Sequence, residues 1–400
     1  MNNLADLGFK KEEKQQLEDK IRQAVNNSGL DGIMAVDSGN FTYLTRGIVL
    51  PYSDQEIMLP SLVFFGRDKE NDFIVCPPEL VPVVKEQDWT GTVAEYSIND
   101  GPPPAGLVGA AAALLNEKKK IGIAANVFSQ DLYVKFQKAL PAARFSDSED
   151  LLAGLRQVKT DGERRMLEIA SRLGERALIS AMNHAEGNVH DGLNYYLWEF
   201  GERIRVHVGE FGGSMTGNLS VQQGAKAARL YSGLDMHEEF QDGNFLRAEW
   251  TSQNYGFWAS SARTLFIGEP GPAALQSYRD NLTLKQAAAD MLKPGIPASE
   301  VFDAVVTAGR THQIPFRAES GAGHGVGTSE MEGPYLDGHD RTMLKAGMVL
   351  VLAVYTYGEK GELICSKDTY EITDDGSRLL SWYKSYNDLY SMYGSSARHG

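Results

Sequence analysis

Cysteine is nearly absent from this chain: Cys76 and Cys365 are the only two in 400 residues. They lie far apart, each inside an apolar run, which argues against a disulfide framework or a thiolate metal centre and predicts two buried free thiols. Basic residues are also in deficit, 39 Lys and Arg against 53 Asp and Glu, for a net charge of −14. With no basic stripe, nucleic acid is not an expected partner. Long apolar runs are missing as well. Leu107–Leu115 and Met348–Tyr355 fall well short of the ~20 residues that cross a bilayer, so no membrane association is expected. The opening MNNLADLGFKKEEKQQ has no apolar h-region, so it does not read as a secretory signal, and the cytoplasm is the expected compartment. There is no internal repeat, no low-complexity segment, and no HExxH, Walker-type or strand–GxGxxG–helix motif.

What is present is an ordinary globular composition, 42% apolar with 41 glycines, in a chain longer than one hydrophobic core usually serves. Two domains are therefore expected, 1–157 and 158–400. In the first, Leu17, Ile21 and Val25 recur every four residues and predict a helix over Lys11–Asn26, stopped by Gly29. Strands are predicted at Gly32–Val36, Ser61–Phe65, Phe73–Cys76 and Lys120–Ala124, with helices over Ala105–Glu117 and Gln130–Leu140. The run Gly101-Pro102-Pro103-Pro104 is expected to be loop. This alternation of strand and helix points to an α/β domain. The second domain opens at Thr160 and Glu163, whose spacing is that of a capping box, followed by a long periodic helix through Met166, Ile169, Leu173, Ala177 and Ala181. A further helix is expected over Asp191–Arg205, strands over Phe245–Thr251 and Tyr255–Phe266 with a turn at Ser252–Asn254, helices over Gln276–Leu292 and Ala298–His312, and last strands over Gly347–Tyr357 and Glu362–Thr373. The tail from Trp382 is expected to lie on the surface.

Several segments, in order, resemble the creatinase, prolidase and aminopeptidase P family. They are Leu30-Asp31-Gly32 with Tyr43-Leu44-Thr45, the junction Leu155-Arg156-Gln157-Val158-Lys159, and Gly256-Phe257 with Ala262-Arg263-Thr264. Gly323-His324-Gly325-Val326-Gly327 with Glu332-Gly333-Pro334, Ala346-Gly347-Met348-Val349, and Asp368-Thr369 with Thr373-Asp374-Asp375-Gly376 complete the set. The resemblance covers most of the chain. It implies an α/β (α+β) protein, a creatinase-like N-terminal domain followed by a pita-bread catalytic-type domain.

In that family two Asp, one His and two Glu hold two divalent ions, whose bridging water is the nucleophile. Carried over, the five positions fall on Glu249, Ser260, His324, Ala353 and Lys367, and a further catalytic His falls on Met331. A hydroxyl, a methyl and an ammonium stand where ligands should be, so no metal and no other cofactor is expected. The metal-free creatinase branch is not matched either: its two glutamates fall on Ala262 and Ala353.

The resemblance therefore implies a metal-independent hydrolase or lyase acting on a C–N bond of a small nitrogenous compound. The alternatives are an inactive pita-bread protein that binds a ligand or peptide, and an Xaa-Pro-type metallopeptidase. The expected catalytic residues are His324, Glu249, Lys367 and Glu332, with Lys367 open to a role as base, nucleophile or anion holder. Glu330 is expected to be solvated. Arg247, Thr251, Trp258, Ser260, Met331, Ala353, Tyr355, Arg46 and Tyr52 are the expected substrate-binding set. The family also implies a homodimer in which the N-terminal domain of one copy covers the neighbour's pocket, with Arg46, Tyr52, Asp54 and Glu56 reaching the ligand. The other seven histidines read as structural or surface residues.

Overall fold

The computed structural model describes residues 7–50, 60–97, 103–115, 117–191, 193–214, 217–231, 233, 235–381 and 387–393. The chain divides into two compact units, Phe9–Arg156 and Gln157–Gly400, with Leu7 and Gly8 belonging to the second.

The first unit is built on a mixed six-stranded sheet in the order Thr92–Glu95, Phe73–Cys76, Leu62–Gly66, Gly32–Ala35, Lys120–Ile123, Arg144–Asp147. Alternation along each strand sends neighbours to opposite faces. Ile33 and Phe65 pack under the helix Lys11–Ser28 with Leu17, Ile21 and Val25, while Met34 and Phe64 pack with Leu107, Ala111 and Phe136. Both faces are thus covered, and the inner strands Gly32–Ala35, Leu62–Gly66 and Phe73–Cys76 read as unbroken apolar runs. The helix Lys11–Ser28 ends at Gly29, whose φ of +72° suits glycine. The proline run is not all loop. A helix spans Pro103–Leu114, because prolines in a first turn lack only N–H groups that have no intrahelical partner there.

Among the described residues the second unit holds two larger sheets, each backed by two helices, and a two-stranded pair, Thr356–Tyr357 with Leu363–Ile364. The four-stranded sheet runs Ser391–Met392, Phe257–Ile267, Asn244–Asn254, Leu219–Gln223. The helices Asp161–His190 and Leu197–Glu210 cover one of its faces, packing Ala177, Ala181, Phe200 and Ile204 against Val221, Leu246, Ala248, Trp250 and Leu265. The five-stranded sheet runs Glu332–Tyr335, Gly323–Gly325, Val349–Leu352, Asp368–Ile372, Ser377–Leu379, under the helices Pro272–Ala289 and Ala298–His312. Among the described residues the two larger sheets are joined by one isolated bridge, where Lys367 N–H donates to Ala262 O at 3.0 Å.

Thr160 caps the long helix, and Glu163 returns a bond to the Thr160 N–H at 2.8 Å. The next helix starts at Leu197 rather than Asp191, where Glu199 accepts from the Tyr196 N–H at 2.9 Å. The hairpin turn is not at Ser252–Asn254. The strand continues to Asn254, and Tyr255 and Gly256, both with positive φ (48° and 74°), form a two-residue turn that follows the sheet's twist. The tail does not simply lie on the surface: Ser391–Met392 adds a parallel strand beside Phe266–Ile267, and Met392 is buried in the core.

Candidate functional site

Strand alternation decides which groups converge. Leu246, Ala248 and Trp250 take the helix-covered face of the hairpin, so Arg247, Glu249 and Thr251 take the other. Pairing across the hairpin sets Thr251 opposite Ser260, Glu249 opposite Ala262, and Arg247 opposite Thr264. Lys367, at the bridge to the second sheet, reaches the same face. Its Nζ lies 3.0 Å from Glu249 Oε2 and donates to Ser260 Oγ at 3.4 Å.

Glu249, 1% exposed, is held from three sides. Tyr355 Oη donates to Oε2 at 2.9 Å. Arg247 Nε stands 3.1 Å from Oε1, in ion-pair contact but off hydrogen-bond alignment. Arg247 is itself anchored, donating to Gln222 Oε1 at 2.6 Å and to the carbonyl of Arg229. Burial alone would pull the Lys367 ammonium down. Glu249, first by charge and then by hydrogen bonding, outweighs that and holds it above the ordinary lysine value. Lys367 is therefore a protonated donor here, which corrects its expected use as a base or nucleophile. Glu249 pushes Tyr355 well up in the same direction as burial does. Ala353, Tyr355 and Cys365 form an apolar cluster with Ala262 and Leu363. Cys365 and Cys76 are both free and buried, and burial pushes the Cys365 thiol up to about 12.

His324 sits on the short strand Gly323–Gly325, second in the five-stranded sheet, and is buried. Its Nδ1 is 2.9 Å from Gly325 O. A carbonyl oxygen only accepts, so Nδ1 carries the proton and Nε2 presents a lone pair. Burial, with Lys367 acting the same way against the Gly325 contact, pushes the ring down to about 4. The strand lies between two others with almost no clearance. A Cβ at Gly323, where φ is +149°, would meet Val351 O at 1.9 Å, and one at Gly325 would meet Gly333 O at 2.5 Å.

The remaining expected residues go to different places. Glu332 is committed to a buried ion pair with Lys159, at 2.7 Å. That pairing joins positions 173 apart, so no local pattern announced it. Met331 is 53% exposed and is not a buried apolar wall. Glu330, expected to be solvated, is partly buried. Burial raises its pKa, Lys367 opposes that, and Glu249 adds to it, so it belongs to the electrostatics of the site. Thr251 is buried with Oγ1 unpaired, and Trp258 N–H donates to Gly327 O at 2.8 Å. The chain also meets this face at Gly217, where a Cβ would come within 2.2 Å of Thr251 Oγ1 and 2.7 Å of the Trp258 ring. Arg46 is committed inside the N-terminal unit, buried 3.5 Å from Glu18 and over the Trp89 ring, rather than extended towards a ligand. Tyr52, Asp54 and Glu56 lie outside the described residues.

The donor set does not fit a pair of divalent cations. Glu249, His324 and the Ser260 hydroxyl offer three donors, Ala353 offers none, and Lys367 sets an ammonium against the Glu249 carboxylate. Among the described residues no three His, Cys, Asp or Glu side chains converge as a metal site would require.

Sheets, helices and site together define a two-domain protein, a creatinase-like N-terminal unit followed by a pita-bread unit. Residues 19–158 match the creatinase/prolidase N-terminal domain, and residues 165–374 match metallopeptidase family M24. The chain belongs to the M24 family. It is 25% identical over 365 residues to an Xaa-Pro dipeptidase of Lactobacillus delbrueckii subsp. lactis, covering 90% of this chain and 94% of that one. Its fold is similar to that of an X-Pro aminopeptidase from Thermotoga maritima, with a TM-score of 0.77 at 16% identity over 92% of this chain and 99% of the other. It is also similar to the N-terminal domain of the FACT complex subunit SPT16 from Cicer arietinum, with a TM-score of 0.72 at 15% identity over 96% of this chain and 100% of the other.

Proposed function

We propose that this M24 chain is a hydrolase that dispenses with divalent metal and cleaves a C–N bond of a small nitrogenous compound. The observation that carries the reading is the state of His324, a neutral imidazole whose Nδ1 is fixed on Gly325 O and whose Nε2 lone pair sits within the field of the Lys367 ammonium. In this reading Nε2 takes a proton from water as the water oxygen bonds to the substrate carbon. Lys367 faces the oxygen on which negative charge gathers. The imidazolium then gives its proton to the nitrogen as the C–N bond breaks, so hydroxyl ends on carbon and hydrogen on nitrogen. An imidazole pushed to about 4 is a weak base, and its protonated form is a correspondingly strong acid for the leaving nitrogen. Glu249 keeps Lys367 charged and in place.

The test is turnover of a panel of small amides and related C–N compounds by protein dialysed against a chelator. Turnover should survive chelation and fall roughly 10²–10⁴-fold in His324→Ala. Activity that appears only on adding Mn or Zn would instead favour the Xaa-Pro metallopeptidase reading that the names of the relatives suggest.

A second reading, ligand binding without turnover, is supported by the closure of Glu249 between Arg247, Lys367 and Tyr355. Thermal stabilisation by a panel compound with no product would mark this case. The family resemblance further supports a homodimer in which one copy's N-terminal unit covers its neighbour's pocket.

A further inference from the structure

Behind the site, on the helix-covered side of the hairpin, lies a second ionic group that the proposed chemistry does not use. Arg263 is fully buried. Its Nη1 donates to Ala262 O at 2.7 Å and to the carbonyl of Lys367. Those two residues form the isolated bridge that joins the sheets among the described residues, through Lys367 N–H and Ala262 O. Its Nη2 donates to Asp368 Oδ1 at 2.8 Å and to Glu175 on the long helix. Lys285, on a helix behind the other sheet, closes the group with 2.6 Å to Asp368 Oδ2. One planar guanidinium therefore clamps the backbone on both sides of the seam at the point where Lys367 turns forward and Asp368 turns back.

We propose that Arg263 is the positioning residue of the site: by holding the Ala262–Lys367 seam from behind, it fixes the direction in which Lys367 leaves the sheet and so keeps the ammonium against Glu249. This rests on the reading of Lys367 as the working cation, though its consequence can be seen without turnover. Lysine at position 263 keeps the charge but is a point donor on a flexible stem, without the fork that reaches two carbonyls and two carboxylates at once. Released from its place, Lys367 stays buried but loses its carboxylate partner, and its pKa falls.

The experiment is acetylation of native protein by an amine-directed reagent at pH 8, with the rate at each lysine read by mass spectrometry. In Arg263→Lys the labelling of Lys367 should rise about tenfold, the change in free amine that one pKa unit brings. Lys159, buried in its own ion pair with Glu332, is the internal control: labelling there should stay unchanged. If Arg263→Lys does not fold, Glu175→Gln removes one charged acceptor of the guanidinium and should raise Lys367 labelling in the same direction. Unchanged Lys367 labelling in a folded variant, or an equal rise at Lys159, overturns the proposal. Failure of the substrate panel with labelling as expected would remove the hydrolase reading and leave the positioning role standing.

Discussion

Two buried groups make opposite demands on acid, and the balance between them is measurable. Burial pushes His324 down from 6.5 to about 4. Burial pushes Glu175 up from 4.5 to about 7, against the pull of Arg263. The unfolded chain protonates His324 near 6.5, so between about 4 and 6.5 it holds more protons than the folded chain, and acid favours unfolding. Glu175 runs the other way: the folded chain keeps that proton up to about 7 while the unfolded chain releases it near 4.5, so acid favours folding. Each displacement is worth about 3 kcal/mol at its full extent. Between pH 7 and pH 5 the histidine removes about 2 kcal/mol and the glutamate returns about 2 kcal/mol. The two contributions cancel in the wild type, and single substitutions expose them. Urea unfolding at pH 7 and pH 5 should show His324→Gln faring better on acidification than the wild type, by about 2 kcal/mol. Glu175→Gln should fare worse by about the same amount. If both variants change with pH as the wild type does, to within about 0.5 kcal/mol, the two groups do not hold these protonation states and the argument for a neutral His324 fails with them.

Three further outcomes are expected. Lys159→Met should destabilise the protein by about 3–5 kcal/mol, because it removes the ammonium from the buried Glu332 carboxylate, and a stability loss under about 1 kcal/mol would contradict that pairing. Gly217→Ala, whose methyl would overlap Thr251 Oγ1 and the Trp258 ring, should cost about 1–3 kcal/mol in thermal or urea unfolding. Light scattering at micromolar concentration should give twice the mass of one chain; a monomer would remove the expectation of a shared pocket.

The parts of the fold that were legible in the sequence are those governed by short-range rules. Leu17, Ile21 and Val25 announced their helix, and Thr160 with Glu163 announced theirs, because periodicity and capping act within a turn or two. The misplaced hairpin turn shows the limit. Ser252–Asn254 looks like turn composition, but Ser252 is buried with Oγ bonded to Ala170 O at 2.8 Å, a partner 82 positions away. Polar residues that look like loop were strand residues with distant partners. The site divides the same way. Strand phase was enough to bring Glu249, Ser260 and Lys367 to one face. The sign of the Lys367 displacement was not legible, because it depends on the distance to Glu249 rather than on burial alone. Glu332 resembled a site acid by motif, yet its carboxylate answers Lys159.

The crowding around His324 has a consequence for anyone who wants to reshape this site. The segment Gly323–Gly325 is flanked by carbonyl oxygens so close that a single added methyl at either glycine overlaps backbone, and backbone cannot rotate aside as a side chain can. Diversity introduced there will be spent on breaking the sheet. The positions that can absorb new side chains are the exposed Met331 and the partly exposed Trp258, whose backbone N–H meets Gly327 O. A library built on those two positions, with the glycines and the imidazole left untouched, would sample new ligands on an unchanged frame.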